Sequence, residues 1–203
     1  SDINNVSFAG GGAGTFAASG SLSLNWIRKD IDARITGSNV DSTDNITVVA
    51  DDTSGMHSIA GQASGAGTVA IGAAIAYSDI ENEINAGIDA GSDVSVASNG
   101  TSRAGNVVIK ALSAAEIETV AVSISGSGTA ALAGSGGGSL INNRINAFIS
   151  GSTVATPDSV VVFANSNDTI ASYGGSAGLS GTVGIGGSVF INKLSSETKA
   201  YVS

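Results

Sequence analysis

The feature that most constrains this chain is a Gly-Thr pair that returns four times, at Gly14-Thr15, Gly67-Thr68, Gly128-Thr129 and Gly181-Thr182. Sixteen residues after each Thr stands Ile31, Ile84, Ile145 or Thr198, and two further on an Ala always follows: Ala33, Ala86, Ala147 and Ala200. The intervals are about 53, 61 and 53 residues. Self-similarity at such a period marks a repeat architecture, in which each unit buries its apolar surface against its neighbours. The copies run approximately over 1-55, 56-116, 117-169 and 170-203, so the chain reads as one solenoid segment, 1-203. It starts in mid-repeat and stops before a turn, which predicts a piece of a longer array or a subunit continued by a neighbour.

Within each copy apolar residues alternate with a period of two, the spacing of a β-strand. After Gly67-Thr68, the residues Val69, Ile71, Ala73, Ile75 and Tyr77 alternate with Ala70, Gly72, Ala74 and Ala76. Phe16, Ala18, Leu22 and Leu24, and later Val183, Ile185, Val189 and Ile191, repeat the pattern. The bulky side is expected to be core. The small side, with Ala17, Ser19, Ser21 and Ser23 in the first copy, then offers a flat surface that another sheet can approach closely, and so a candidate assembly surface. At Asn25, Ser78, Ser139 and Asn192 the apolar phase changes, as from Leu22 and Leu24 to Ile27 and Ile31, which predicts a corner.

A second, amphipathic strand sets Ile31, Ala33 and Ile35 against Asp30, Asp32 and Arg34, and stops at Gly37, Gly91 or Gly151. A third covers Ile46 to Val49, Val107 to Ile109 and Val160 to Phe163; a fourth, clearest as Val120, Val122 and Ile124, returns to the next Gly-Thr. Copy two carries an extra Ser98-Asn99-Gly100-Thr101-Ser102-Arg103, expected on a surface loop. No helical period is sustained, and Gly costs about 1 kcal/mol per helical position relative to Ala. The expectation is an all-β repeat solenoid of the parallel β-helix type, with two or three coils per repeat. An antiparallel meander such as propeller blades also fits four strands per period.

A formal charge of −9, with eight scattered basic residues, argues against nucleic acid and anionic membranes as partners. The uncharged run from Thr119 to Asn143 is long, but its glycines and serines argue against a spanning helix, so no membrane insertion is expected. There is no Cys, hence neither disulfide nor thiolate site.

At the stretches Ser21-Leu22-Ser23-Leu24-Asn25 to Ile35, Ala74-Ile75-Ala76-Tyr77-Ser78 to Ile88, Ser139 to Ile149 and Val189-Phe190-Ile191-Asn192 to Val202, the chain resembles filamentous-haemagglutinin-like and leukotoxin-type filamentous adhesins of bacteria. Their repeats read as a Gly/Ala-rich strand, an Asn-containing corner and a segment ending in Ala-x-Ile or Ala-x-Val. The resemblance implies a parallel β-helix shaft outside the cell, with a structural or adhesive role. It covers essentially the whole chain. Copy three departs from it, with Gly136-Gly137-Gly138 where bulky residues stand elsewhere.

Candidate chemistry is thin. His57 is the one histidine, and its counterparts Glu118 and Ala171 supply no nucleophile beside a base; it reads as a solvated loop residue. The pairs Asp51-Asp52, Asp41 with Asp44, and Glu81 with Glu83 could serve polysaccharide cleavage only if two carboxyls faced across a cleft. A solvated acidic face is the simpler expectation. Asp41, Asp44, Asp93 and Asp158 lie near turns as hard oxygen donors for calcium, but the Gly-Gly-x-Gly-x-Asp signature is missing. Gly10-Gly11-Gly12 and Gly136-Gly137-Gly138 open no phosphate loop. Asn5, Asn45, Asn99 and Asn167 head glycosylation-type triplets that such a composition produces by chance.

The sequence therefore predicts a non-enzymatic extracellular or cell-surface protein with no catalytic, cofactor or metal site. Its partners would be other copies, end to end or side by side, or neighbouring repeats. The alternative is a β-helical carbohydrate-active domain.

Overall fold

The computed structural model describes residues 1–97 and 105–203; the copy-two insert and Asn99 lie outside them. Every strand pairing is parallel, and each strand lies beside its counterpart from the next repeat. The first sheet holds β1 (Asp2–Ala13), β5 (Gly55–Ala66), β9 (Glu116–Ser127) and β13 (Thr169–Ser180). The second holds the long strands β2 (Phe16–Thr36), β6 (Val69–Asp89), β10 (Ala130–Ile149) and β14 (Val183–Val202). Short strands β3 (Asn39–Ser42), β7 (Asp93–Val96) and β11 (Thr153–Ala155) make a third sheet, and β4 (Ile46–Asp52), β8 (Val107–Ser113) and β12 (Val160–Ser166) a fourth. The chain is a parallel β-solenoid.

Phe16 stands beside Val69, Val69 beside Ala130, and Ala130 beside Val183. One repeat therefore makes one coil, not the two or three expected. The reason is the absence of the expected corner: β2, β6 and β10 run straight through Asn25, Ser78 and Ser139 with their alternation intact. At about 3.3 Å per residue such strands approach 70 Å, whereas successive coils rise only about 4.8 Å.

What changes at those residues is which side of the strand carries the bulk. In β6 the inward residues from Ala70 to Ala76 are small and fully buried where apolar, while Ile71 is 38% and Ile75 49% exposed. Beyond Ser78, Ile80, Ile84 and Ile88 point inward and are completely buried. The bulky side of the first strand half is thus the outer side, contrary to expectation. The small side, expected to be free for assembly, faces the first sheet of the same molecule.

The upper part of the coil is accordingly a thin two-sheet fin, and the lower part a wider body. In the fin, Ser58, Ala60, Gln62 and Ser64 of β5 and Thr119, Ala121, Ser123 and Ser125 of β9 meet Ala74, Ala76 and Ser78 of β6 and Ala131, Ala133 and Ser139 of β10. Many of the hydroxyls satisfy one another, Ser23 with Ser58 at 2.8 Å, Ser64 with Ser125 at 2.9 Å, Thr119 with Ser139 at 2.9 Å, while those of Ser21, Ser127 and Ser180 are buried without a partner. Gln62 bridges coils, donating to Ser19 Oγ at 2.6 Å and accepting from Ser123 at 2.6 Å. Buried polar groups must be paired in this way, and small side chains let the two sheets come close enough to pair them.

Where a large side chain does enter the fin, a glycine faces it. A Cβ on Gly72 would sit 2.0 Å from Gln62, and one on Gly174 would sit 1.8 Å from the Phe190 ring. Gly137 makes room for the same Phe190, with 2.7 Å to the ring. This accounts for the middle glycine of the copy-three cluster. The Gly-Thr pairs form the fin tip, where turns stack so closely that a Cβ on Gly67 would lie 2.0 Å from the Gly14 carbonyl oxygen. Repetition of that glycine is therefore steric.

The body core is a conventional ladder: Ile84, Ala86 and Ile88 pack with Val94, Val96, Ile109, Ala111, Ile145 and Ile149. A smaller apolar cluster of Ile27, Ile80, Ile141, Met56 and Ile117 forms the neck.

Candidate functional site

The fin presents two outer faces that are almost uncharged. On the first sheet the outward residues are Val6, Phe8, Gly10 and Gly12; Ile59, Gly61, Ala63 and Gly65; Val120, Val122, Ile124 and Gly126; Tyr173, Gly175, Ala177 and Leu179. On the second they are Phe16, Leu22 and Leu24; Val69, Ile71, Ile75 and Tyr77; Leu132 with Gly134, Gly136 and Gly138; Val183, Ile185, Val189 and Ile191. Central coils are exposed as well as terminal ones: Ile59 is 43%, Val122 40% and Ile124 48% exposed. Apolar patches of this extent on soluble proteins mark interaction surfaces.

The apolar band ends at Trp26 and Tyr77, whose tilted rings lie 6.1 Å apart between centroids. Below it, charges are paired along the coils. Arg28 bonds Glu81 at 2.5 Å, Arg144 bonds Glu197 at 3.3 Å and reaches Glu83 at 4.0 Å, and Lys199 pairs with Glu197. Asp79, at the border, has its carboxyl pKa raised by burial and by Glu81, with Arg28 opposing. Lower still, Phe148 lies over Gly87, stacks on Tyr201 at 5.6 Å and receives the Arg34 guanidinium 5.5 Å above its centroid.

Between neck and body runs a buried polar layer that the sequence reading did not identify. Asp52 accepts from Lys29 at 2.8 Å, Ser54 at 2.9 Å and Asn82 at 2.6 Å. Asp168 accepts from Ser113 at 2.7 Å, the Ala115 amide at 2.9 Å, Asn143 at 3.1 Å, Ser166 at 2.6 Å and Ser196 at 2.7 Å. Burial raises the Asp168 pKa, but the hydrogen bonds from Ser166, Ala115, Ser196 and Ser113 outweigh it and hold it below the ordinary carboxylate value. The inward positions of Lys29, Asn82, Asn143 and Ser196, in register between two isoleucine rows, were the available signal.

The weighed candidates are dispersed. His57 stands on the outer face of β5, not in a loop, and its Nδ1 lies 3.1 Å from Glu118. Asp52 is buried in the polar layer while its neighbour Asp51 faces outward. Asp41 accepts from Ser95 at 2.5 Å, and Asp44 accepts from its neighbour Asn45's amide at 2.8 Å. Glu81 and Glu83 share the outer face of β6 beside those arginines. Asp93 pairs in register with Asn39 and Thr153, and Asp158 lies in the approach to β12. Among the described residues no three His, Asp or Glu side chains converge on a common metal position. Asn5 points into the fin and donates to Asn25 at 2.7 Å; Asn45 accepts from the Asn106 amide at 2.8 Å; Asn167 is exposed.

No protein-family model, curated protein or solved structure matches the chain. Its class is defined by the fold: an all-β parallel solenoid with one coil per repeat, carrying a fin with a small-residue interior and apolar outer faces.

Proposed function

We propose that this chain is structural or adhesive, part of a rigid extracellular β-solenoid shaft or self-assembling filament on a bacterial surface or in a biofilm matrix, and not an enzyme. The observation that carries this reading is the in-register stacking of three full coils and a partial fourth, whose backbone hydrogen bonds run along the solenoid axis from the fin tip to the body. Such a ladder resists extension and propagates by adding identical units, and its partners are neighbouring repeats or further copies meeting end to end. The cross-section bears on the role: more than fifty residues per rise of about 4.8 Å make a broad ribbon, not an economical thin spacer.

Carbohydrate-active function rests on the shallow groove across adjacent coils lined by Asp30, Glu81, Glu83 and Glu197. Arg28, Arg144 and Lys199 engage three of those carboxylates, which favours the structural reading.

Negative-stain electron microscopy at rising concentration, with circular dichroism for β content, tests the proposal. Fibres or ribbons about 70 Å across are the expected result, given the long strands. Compact round particles at every concentration, with release of reducing sugar from polysaccharides, would overturn it.

A further inference from the structure

The two outer faces of the fin differ in relief, and the difference is reciprocal. On the first-sheet face β9 is a ridge, Val120, Val122 and Ile124, between β5, shallow at Gly61, Ala63 and Gly65, and β13, shallow at Gly175 and Ala177, while Ile59, Tyr173 and Leu179 project at their ends. On the second-sheet face β10 is the trough, Gly134, Gly136 and Gly138, between ridges formed by Ile75 and Tyr77 of β6 and by Val189 and Ile191 of β14. Counted from the Gly-Thr tip, the ridge of β9 and the trough of β10 cover the same stretch of the fin.

Several of these glycines are not demanded by the fold. A Cβ added at Gly65, Gly134 or Gly175 would meet nothing within 4 Å, unlike the inner glycines Gly72, Gly137 and Gly174. Phe8 already lies across Gly61, and Tyr77 leans toward Gly138 at 3.1 Å, so the troughs stay open mainly along Gly65, Gly134, Gly136 and Gly175.

We propose that the fin docks a second copy of this chain, the first-sheet face of one molecule on the second-sheet face of the next, with tips on the same side and coils in the same order. The β9 ridge then enters the β10 trough of the neighbour, while that neighbour's β6 and β14 ridges lie over β5 and β13. In the third coil Val120, Val122 and Ile124 stand level with Gly138, Gly136 and Gly134, and in the fourth Gly175 stands level with Val189. A ridge opposite a trough at these rows is the relation a sheet-on-sheet interface needs, as interface cores pack to interior density. Four strands at about 4.8 Å and nine residues at about 3.3 Å make each face roughly 20 by 30 Å. Two such faces remove roughly 1,200 Å² from water, the lower end of specific interfaces. The charged rows begin at Trp26's own row, with Asp79 and Lys193, and on the first sheet at His57 and Glu118, so the fin faces above them meet without bringing unpaired charges together. Because the two faces differ, the contact is heterologous and propagates sideways into a stack of ribbons.

This inference deepens the filament reading by naming its lateral partner. It is tested in the full chain, whose lack of cysteine gives a clean background. Val122→Cys and Gly136→Cys variants are oxidised separately and as a one-to-one mixture, and dimers are read on non-reducing gels. Disulfide dimers only in the mixture are the expected result, and Val122→Glu should abolish lateral association seen by sedimentation while leaving the circular dichroism spectrum unchanged. Dimers from either variant alone would show like faces meeting and overturn the proposal. So would no cross-link in any sample at concentrations where ribbons form, or flotation of the unmodified chain with phosphatidylcholine vesicles in place of self-association. If single ribbons persist without cross-links, the stacking fails and the filament reading stands; if only compact particles form, the filament reading fails first.

Discussion

The fin and the body are built from the same continuous strands yet have opposite insides. In β6 the side chains of Ile71 and Ile75 face solvent above Ser78, and those of Ile80, Ile84 and Ile88 fill the interior below it. The inward and outward parity never changes; the partner across the interior does. In the fin β6 faces a strand of Ser, Ala and Gln, and in the body it faces Val and Ile from β7 and β8. Periodicity therefore defines a strand with two unlike sides, and the opposing strand decides which side is core.

The comparison breaks most sharply at Ile84. Ile84→Asp should lower stability by about 4–5 kcal/mol, because it places an unpaired charge in the body core, measured by urea unfolding. A variant that unfolds like the parent would remove the body core from this account. Next is Asp168→Ala, which strands five donors between neck and body and should cost about 3 kcal/mol. The depressed pKa of Asp168 gives a pH signature: its stabilisation is complete above about pH 4, near the unfolded carboxylate value, and fades as pH falls through the lower folded value. Acid titration of the unfolding midpoint should show that loss in the parent and not in the variant.

Within the fin the expected sensitivity is inverted. Ala74→Leu, which enlarges a fully buried small residue, should cost about 2 kcal/mol by forcing the sheets apart. Ile75→Ser, one residue along, should change monomer stability by less than about 0.5 kcal/mol although it removes a large apolar side chain. Between these lies Ala90→Gly. Ala90 sits at φ 55° where the first and third copies have Gly37 and Gly151, also at φ 55°, so the substitution should stabilise by about 1 kcal/mol in thermal melts.

The sequence made the solenoid legible because the Gly-Thr tips, the Ala ladder from Ala33 to Ala200 and the turn glycines recur with the structure's own register. At Asn25 and Ser78 a change in side-chain size imitates a change in strand direction. Ranking residues by hydrophobicity placed Ile75 inside and Ala74 outside, and nothing local to that strand contradicts the ranking. The contrary signal lay outside that strand, in the Ser–Thr–Gln pattern of the facing β5 and β9 that only a small-residue surface can receive. The polar layer was hidden for a similar reason, since Asp52, Lys29 and Asn82 come together from three separate strands.

The most direct test of the inverted fin is thiol accessibility at adjacent positions. Ala74→Cys and Ile75→Cys would be reacted with a maleimide in dilute, monodisperse native protein, with the urea-unfolded chain as reference. The account predicts that Cys at 75 reacts at close to the unfolded rate while Cys at 74 is protected until the chain unfolds. Rapid reaction at 74 with protection at 75 would put the bulky side inside and contradict the fin as described.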